Sequence, residues 1–89
     1  VVKPTEPDED RREHEILGEF YREAREKSEM SVEEAAARAG LRVAIVRGIE
    51  DGTRGSNLRL KEMTKLAKTL GTEAADIVRR TEARLRSGG

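Results

Sequence analysis

The chain has 89 residues, 35% of them hydrophobic and 2% aromatic, which is enough for one modest core and too little for a two-domain enzyme. It contains no cysteine and a single histidine, which excludes a disulfide scaffold, a thiolate zinc module and a histidine metal cluster. Eighteen basic and eighteen acidic side chains balance to a formal net charge of zero, which excludes an indiscriminately cationic nucleic-acid binder.

The balance hides a strong asymmetry. Residues 1–15 carry three basic and six acidic side chains, and residues 16–37 carry the same, so each segment is −3. Residues 38–68 carry eight basic and three acidic side chains, a segment of +5, and residues 69–89 are close to neutral at +1. A basic middle therefore follows an acidic front.

Residues 1–12, with two prolines, an acidic run and few apolar residues, read as a disordered acidic arm. A helix is expected from Glu13 to Ser28, where Leu17, Tyr21 and Ala24 recur at helical spacing beside Ile16 and Phe20. Ser31 followed by Glu34 forms a capping box that starts a second, alanine-rich helix, and Gly40 ends it. One tight turn later, Arg42 to Asp51 carries Ile45, Val46 and Ile49 at helical spacing and closes at Gly52. The segment from Gly52 to Asn57 has the composition of a loop. Leu60, Met63, Leu66, Ala67 and Leu70 define a fourth amphipathic helix ending at Gly71. Thr72 is expected to cap a fifth, marked by Ala74, Ile77, Val78, Thr81 and Leu85 and running to about Arg86. No alternating strand pattern competes. The expected organisation is an all-α domain over 13–86, between the arm and a flexible tail at 87–89.

Two short helices joined through Gly40-Leu41 fit the helix-turn-helix unit, in which the second helix enters the major groove and the first braces it. The stretch from Met30 to Gly52, with Ser31, Glu34, Ala36, Gly40, Ile49-Glu50 and Gly52 at their spacing, resembles the XRE family of lambda repressor and Cro-type DNA-binding domains. The resemblance extends from Leu17-Gly18 and Arg25 to Leu66-Ala67-Lys68-Thr69-Leu70-Gly71 and into the fifth helix. It implies a five-helix lambda-repressor-like fold with the helix-turn-helix at helices 2 and 3. It also implies an ion pair between Arg25 and Glu50, clamping the reading helix to the first.

Carried over residue by residue, the resemblance places Ser31 and Val32 at the start of helix 2 against phosphate and the first base. Arg42 falls at the N-cap of the reading helix, and Val43, Ala44, Arg47 and Gly48 fall at its reading positions. Of these four, only Arg47 can bond guanine through two hydrogen bonds, while Val43 and Ala44 offer contacts to thymine methyls. Arg38, Arg54, Ser56, Asn57, Arg59 and Lys61 are the phosphate candidates. The loop after Gly52 is longer than the family's common form, which leaves open whether Arg54 or Arg59 faces DNA. Because the family generally works as a two-fold dimer, the stripe Ile77, Thr81 and Leu85 is the expected dimer surface, the alternatives being that it is only a frayed, charged helix end or that a further C-terminal domain holds the dimer contacts.

No catalytic constellation is present. Gly52-Thr53-Arg54-Gly55-Ser56 lacks the Lys-Ser/Thr of a phosphate loop, and Glu33-Glu34 suit a helix dipole better than acid-base work. No cofactor and no metal is expected. No apolar run reaches the roughly 18 residues of a membrane span, so the expected setting is the cytoplasm of a bacterium or phage-infected host. The expected function is a dimeric, sequence-specific transcriptional regulator, more specifically a repressor of a palindromic double-stranded DNA operator. Two alternatives stand beside it: an antitoxin that represses its own operon and binds a toxin, and a helix-turn-helix domain used for protein contact through Val32, Val43, Ala44 and Gly48.

Overall fold

The computed structural model describes residues 7–54 and 58–88. Its elements are α1 (Pro7–Lys27), α2 (Val32–Ala39), α3 (Val43–Asp51), α4 (Leu60–Thr69) and α5 (Ala74–Gly88), with no strand among the described residues. Helix α1 packs on α3 and α5, α2 on α3 and α4, and α4 on α5.

The first helix begins at Pro7 rather than Glu13, so half of the stretch read as a disordered arm is helical. Proline is compatible with a first helical turn, where its missing N–H has no helical partner to lose, and the acidic sequence that follows has the charge sign a helix N-terminus favours. Residues 1–6 of that stretch lie outside the described residues. The helix ends in a left-handed turn at Glu29, φ 57°, with the Met30 amide bonded to the Arg25 carbonyl at 3.3 Å.

Ser31 caps α2, its hydroxyl accepting from the Glu34 amide at 3.0 Å. Only that half of the capping box is made, because the Glu34 carboxylate accepts from Arg38 at 2.7 Å instead of turning back. Gly40 closes the helix at φ 73°, a conformation in which a Cβ would strain the chain. From there the Leu41 amide reaches the Ala36 carbonyl at 2.9 Å, which fixes the turn into α3.

Thr72 does not cap α5. Its amide donates to the Ala67 carbonyl at 2.9 Å, completing the end of α4, and the first carbonyl of α5 is that of Glu73, bonded by the Ile77 amide at 3.2 Å. At the other end, Ser87 donates to the Ala83 carbonyl at 3.1 Å and α5 continues to Gly88, into the segment read as a flexible tail.

Leu17, Tyr21, Ala35, Ala36, Val46, Ile49, Leu66, Ala67 and Ile77 lie in one continuous core drawn from all five helices. Tyr21 is fully buried and its phenol donates to the Met63 carbonyl at 2.9 Å, tying α1 to α4. The alanines of α2 have a packing role: Ala35 and Ala36 are buried, which lets neighbouring helices approach closely.

The stripe expected to carry a dimer surface is occupied within the chain. Ile77 is 2% and Thr81 1% exposed, and Leu85 is half-buried. Helix α5 lies along α1, so Ile77 and Thr81 of this stripe pack into the chain's own core, while Leu85 stays partly exposed. Thr81 fits there because its hydroxyl donates to the Ile77 carbonyl at 2.8 Å. Near the end of α5, Arg84 lies 5.0 Å from the centre of the Phe20 ring.

Candidate nucleic-acid interface

Helix α3 is amphipathic in a way that divides its work. Ile45, Val46, Ile49 and Glu50 are buried, whereas Arg42, Ala44, Arg47 and Asp51 face solvent. Its N-cap is Arg42, which makes no side-chain capping bond, so the first-turn amides have no side-chain acceptor. The positive end of the helix and the Arg42 guanidinium therefore stand together at one exposed corner, a combination suited to phosphate.

Arg25 holds this helix in place. Its Nε donates to Glu50 Oε2 at 2.6 Å, its Nη2 to Oε1 at 3.1 Å, and its Nη1 to the Met30 carbonyl at 2.9 Å. One guanidinium thus joins the end of α1, the turn into α2 and the end of α3. Only 3% of the Glu50 side chain is exposed, and Arg22 approaches the same carboxylate at 3.6 Å while also meeting Asp51 at 3.3 Å. The hydrogen bond to Glu50 raises the pKa of Arg25 above its ordinary value, outweighing partial burial, so the cation is secure.

The main chains of α1 and α3 come into direct contact at Gly18. A Cβ there would stand 2.8 Å from the Glu50 carbonyl carbon and closer still to the carbonyl oxygens of Ile49 and Glu50. Glycine is thus a packing requirement at this crossing.

The other residues expected to meet DNA fall into distinct groups. Val32 and Val43 are half-buried and pack against the core. Gly48 is covered by the Arg54 side chain, whose Cδ lies 2.8 Å from where a Cβ would be. Of the four apolar positions behind the protein-contact alternative, only Ala44 is exposed, so they do not form an exposed apolar patch.

Arg54 lies over α3 and meets Glu62 of α4 at 3.0 Å, with 24% of its side chain exposed. It thereby ties α3 to α4. Arg59 and Lys61 are exposed at the start of α4, and neither has a carboxylate partner among the described residues, nor does Arg42. Between the two arginines left open by the loop length, Arg59 is thus the more exposed. Ser56 and Asn57 lie outside the described residues. Ser31 is exposed at the start of α2, beside Val32.

Arg38 and Arg47 are exposed but paired. Arg38 meets Glu34 at 2.7 Å within α2, and Arg47 meets Glu33 across the turn at 3.0 Å. Glu62 is a member of this surface that the sequence reading passes over, and Glu33 one that it assigns only to the helix dipole. Helical i,i+4 spacing marks the Glu34–Arg38 pair, but no local spacing marks a contact between residues 14 apart, as Glu33 and Arg47 are.

The order of helices, the short turn at Gly40 and the exposed α3 define a DNA-binding helix-turn-helix domain. A family model described as a helix-turn-helix matches residues 22–77, more than half of the chain. The chain belongs to this family, the XRE-type helix-turn-helix proteins, and its five helices form the lambda-repressor-like fold. The family is one of DNA-binding regulators and not of enzymes. A search of curated proteins returns no match to this chain. No helix among the described residues is long and apolar enough to cross a membrane.

Proposed function

We propose that the protein is a transcriptional repressor that binds a palindromic operator as a homodimer, with α3 of each subunit in the major groove. The observation that carries this reading is the solvent-facing side of α3, where Arg42 and Arg47 stand on a helix anchored by the Arg25–Glu50 pair and flanked by Arg59 and Lys61. Arg42, Arg59, Lys61 and the α3 N-terminus take phosphate, and Arg47 takes guanine. Promoter occlusion follows from the space that two such domains occupy on half-sites ~34 Å apart.

A two-fold pair needs a surface, and the groove between α4 and α5 supports that role. It is about 1070 Å³ in volume and is lined by Leu60, Thr64, Ala74, Ala75 and Val78. Leu60 is 72% exposed, the one large hydrophobic side chain so exposed among the described residues. The rim offers both charge signs, with Lys68 and Arg79 beside Glu73 and Asp76. A two-fold contact on this face would remove Leu60 from water, which supports the reading.

Selection from a random duplex pool, followed by titration of the selected site at several salt concentrations, tests the reading. The expected outcome is a palindromic site with guanine at one position of each half, and an affinity that falls steeply with salt. Absence of any selected site, with no salt dependence, rules the reading out.

A further inference from the structure

Arg54 follows the C-cap of α3 by two residues, and its side chain runs back over the helix it has just left. Its Cδ and Cγ stand 2.8 Å and 3.0 Å from where a Cβ on Gly48 would be, so the missing side chain at Gly48 is what makes the seat. The carbonyl of the same glycine accepts from the Thr53 amide at 2.9 Å, which fixes the main chain just before Arg54. At its far end the guanidinium meets Glu62, in the first turn of α4, at 3.0 Å. The Glu62 side chain is only 15% exposed, so the contact is better sheltered from water than a surface pair.

Helices α3 and α4 do not pack along one another as the other neighbouring pairs do; α3 is held by α1 and α2, and α4 by α2 and α5. Arg54 and Glu62 supply a direct link between them, at the end of α4 that carries Arg59 and Lys61. A DNA complex needs base contacts from α3 and phosphate contacts from the start of α4 at the same time. Groups already held in their relative places lose less freedom when they engage, so a tie between these two sites strengthens binding without touching DNA. The same geometry opposes a phosphate role for Arg54. Leaving Glu62 for a phosphate strands a mostly enclosed carboxylate and empties the seat on Gly48.

We propose that Arg54 is a positioning residue for DNA binding: seated on Gly48 and paired with Glu62, it holds the phosphate-binding start of α4 in register with the base-reading helix α3. This inference rests on the proposed assignment of α3 to bases and of Arg59 and Lys61 to phosphates.

Wild-type protein, Arg54→Met, Glu62→Met and the double variant are titrated with the selected site and with random duplex at several salt concentrations, at a temperature where circular dichroism shows each to be folded. Arg54→Met is expected to bind the selected site about tenfold more weakly while keeping the wild-type slope of log affinity against log salt. On random duplex, where α3 has no base contacts to align, the loss is expected to be smaller. Glu62→Met removes a negative charge from this face, which by itself tightens DNA binding. At the highest salt, where that background effect is screened, Glu62→Met is expected to show the same weakening as Arg54→Met. The double variant is expected to be weaker than either single variant by no more than about twofold, because both changes remove one tie.

A salt slope shallower by about 2 per dimer in Arg54→Met, with an equal loss on both duplexes, makes Arg54 a phosphate ligand and overturns the proposal. Tighter binding by Glu62→Met at every salt concentration also overturns it, since Glu62 is then only a background charge. So do losses that add in the double variant, and so does an unchanged affinity in every variant, which leaves the pair a contact of the fold alone. Should Arg54→Met not fold, the sign of the Glu62→Met effect at high salt decides. In each of these failures the repressor reading stands; if wild-type protein selects no site, both fall.

Discussion

Arg25 makes three hydrogen bonds to two different parts of the chain, and the carboxylate it serves is almost fully enclosed. Removing the cation leaves Glu50 to Arg22 alone, at 3.6 Å, so Arg25→Met is expected to destabilise the fold by about 3 kcal/mol, the low end for breaking a buried pair. Adding Glu50→Leu to that variant is expected to restore part of the loss, because no buried charge is then left behind; chemical denaturation of the wild type and the two variants measures the difference. Tyr21 gives a second residue-level expectation. Burial pushes its phenol well above the ordinary value, so the unfolded chain releases this proton first. The contribution to stability is complete below about pH 10 and is lost as pH rises beyond it, by up to about 1.4 kcal/mol per pH unit. Tyr21→Phe is expected to cost about 1 kcal/mol at neutral pH, through the bond to the Met63 carbonyl, and to flatten the alkaline limb. The chain has one tyrosine, so tyrosinate absorbance reports the site directly and is expected to appear only with unfolding.

Among elements, the crossing of α1 over α3 sets how far α3 stands out from the domain. Gly18 permits main-chain contact there, and the Arg25–Glu50 pair locks the other end of the same contact. Gly18→Ala drives a methyl into two carbonyl oxygens that belong to the α3 backbone, so relief requires a helix to move. The expected loss is about 3 kcal/mol of stability, the upper part of the range for overpacking, measured by thermal or urea unfolding. A reduced DNA affinity is expected even where the variant remains folded, because α3 is displaced relative to α2. Helix α2 depends on fewer such constraints: Ser31 caps it, Gly40 ends it, and small side chains settle it onto α3 and α4.

For the whole molecule, a net charge of zero and a local charge of +5 over residues 38–68 have different consequences. The DNA-facing surface is itself partly neutralised by the pairs of Arg38 with Glu34 and Arg47 with Glu33. On the proposed reading Arg42, Arg59 and Lys61 are the phosphate ligands of each subunit, so the slope of log affinity against log salt for a dimer is expected to be about −5. Arg47→Ala is expected to cost roughly 1–3 kcal/mol at one base position, with other positions unchanged. Pairing of subunits is separable from base contact. Leu60→Glu places a charge at an exposed position of the α4–α5 groove and is expected to give a folded monomer by sedimentation, the readout that reports pairing independently of the neighbouring phosphate ligands Arg59 and Lys61.

Much of this protein was legible along the chain. Leu17, Tyr21, Ile45, Val46, Ile49, Leu66 and Ile77 announce their helices by spacing, because helix formation and burial of one face are governed by neighbours three and four residues away. Gly40 and the serine before α2 mark the turn and the cap for similarly local reasons. Pro7 misled the reading because a proline before an acidic run has the composition of a disordered arm as well as of a helix start. The stripe through Ile77 and Thr81 misled it differently: periodicity shows that a face is apolar and says nothing about what covers it. Sequence by itself thus determined the number of helices, their approximate limits and the helix-turn-helix that places α3 outward. Only the tertiary structure decided that α1 covers the inner face of α5, that Arg54 ties α3 to α4 while Arg59 meets solvent, and that Glu33 meets Arg47. Those outcomes depend on side chains brought together from separate helices, and a contact of that kind leaves no periodic trace in the chain.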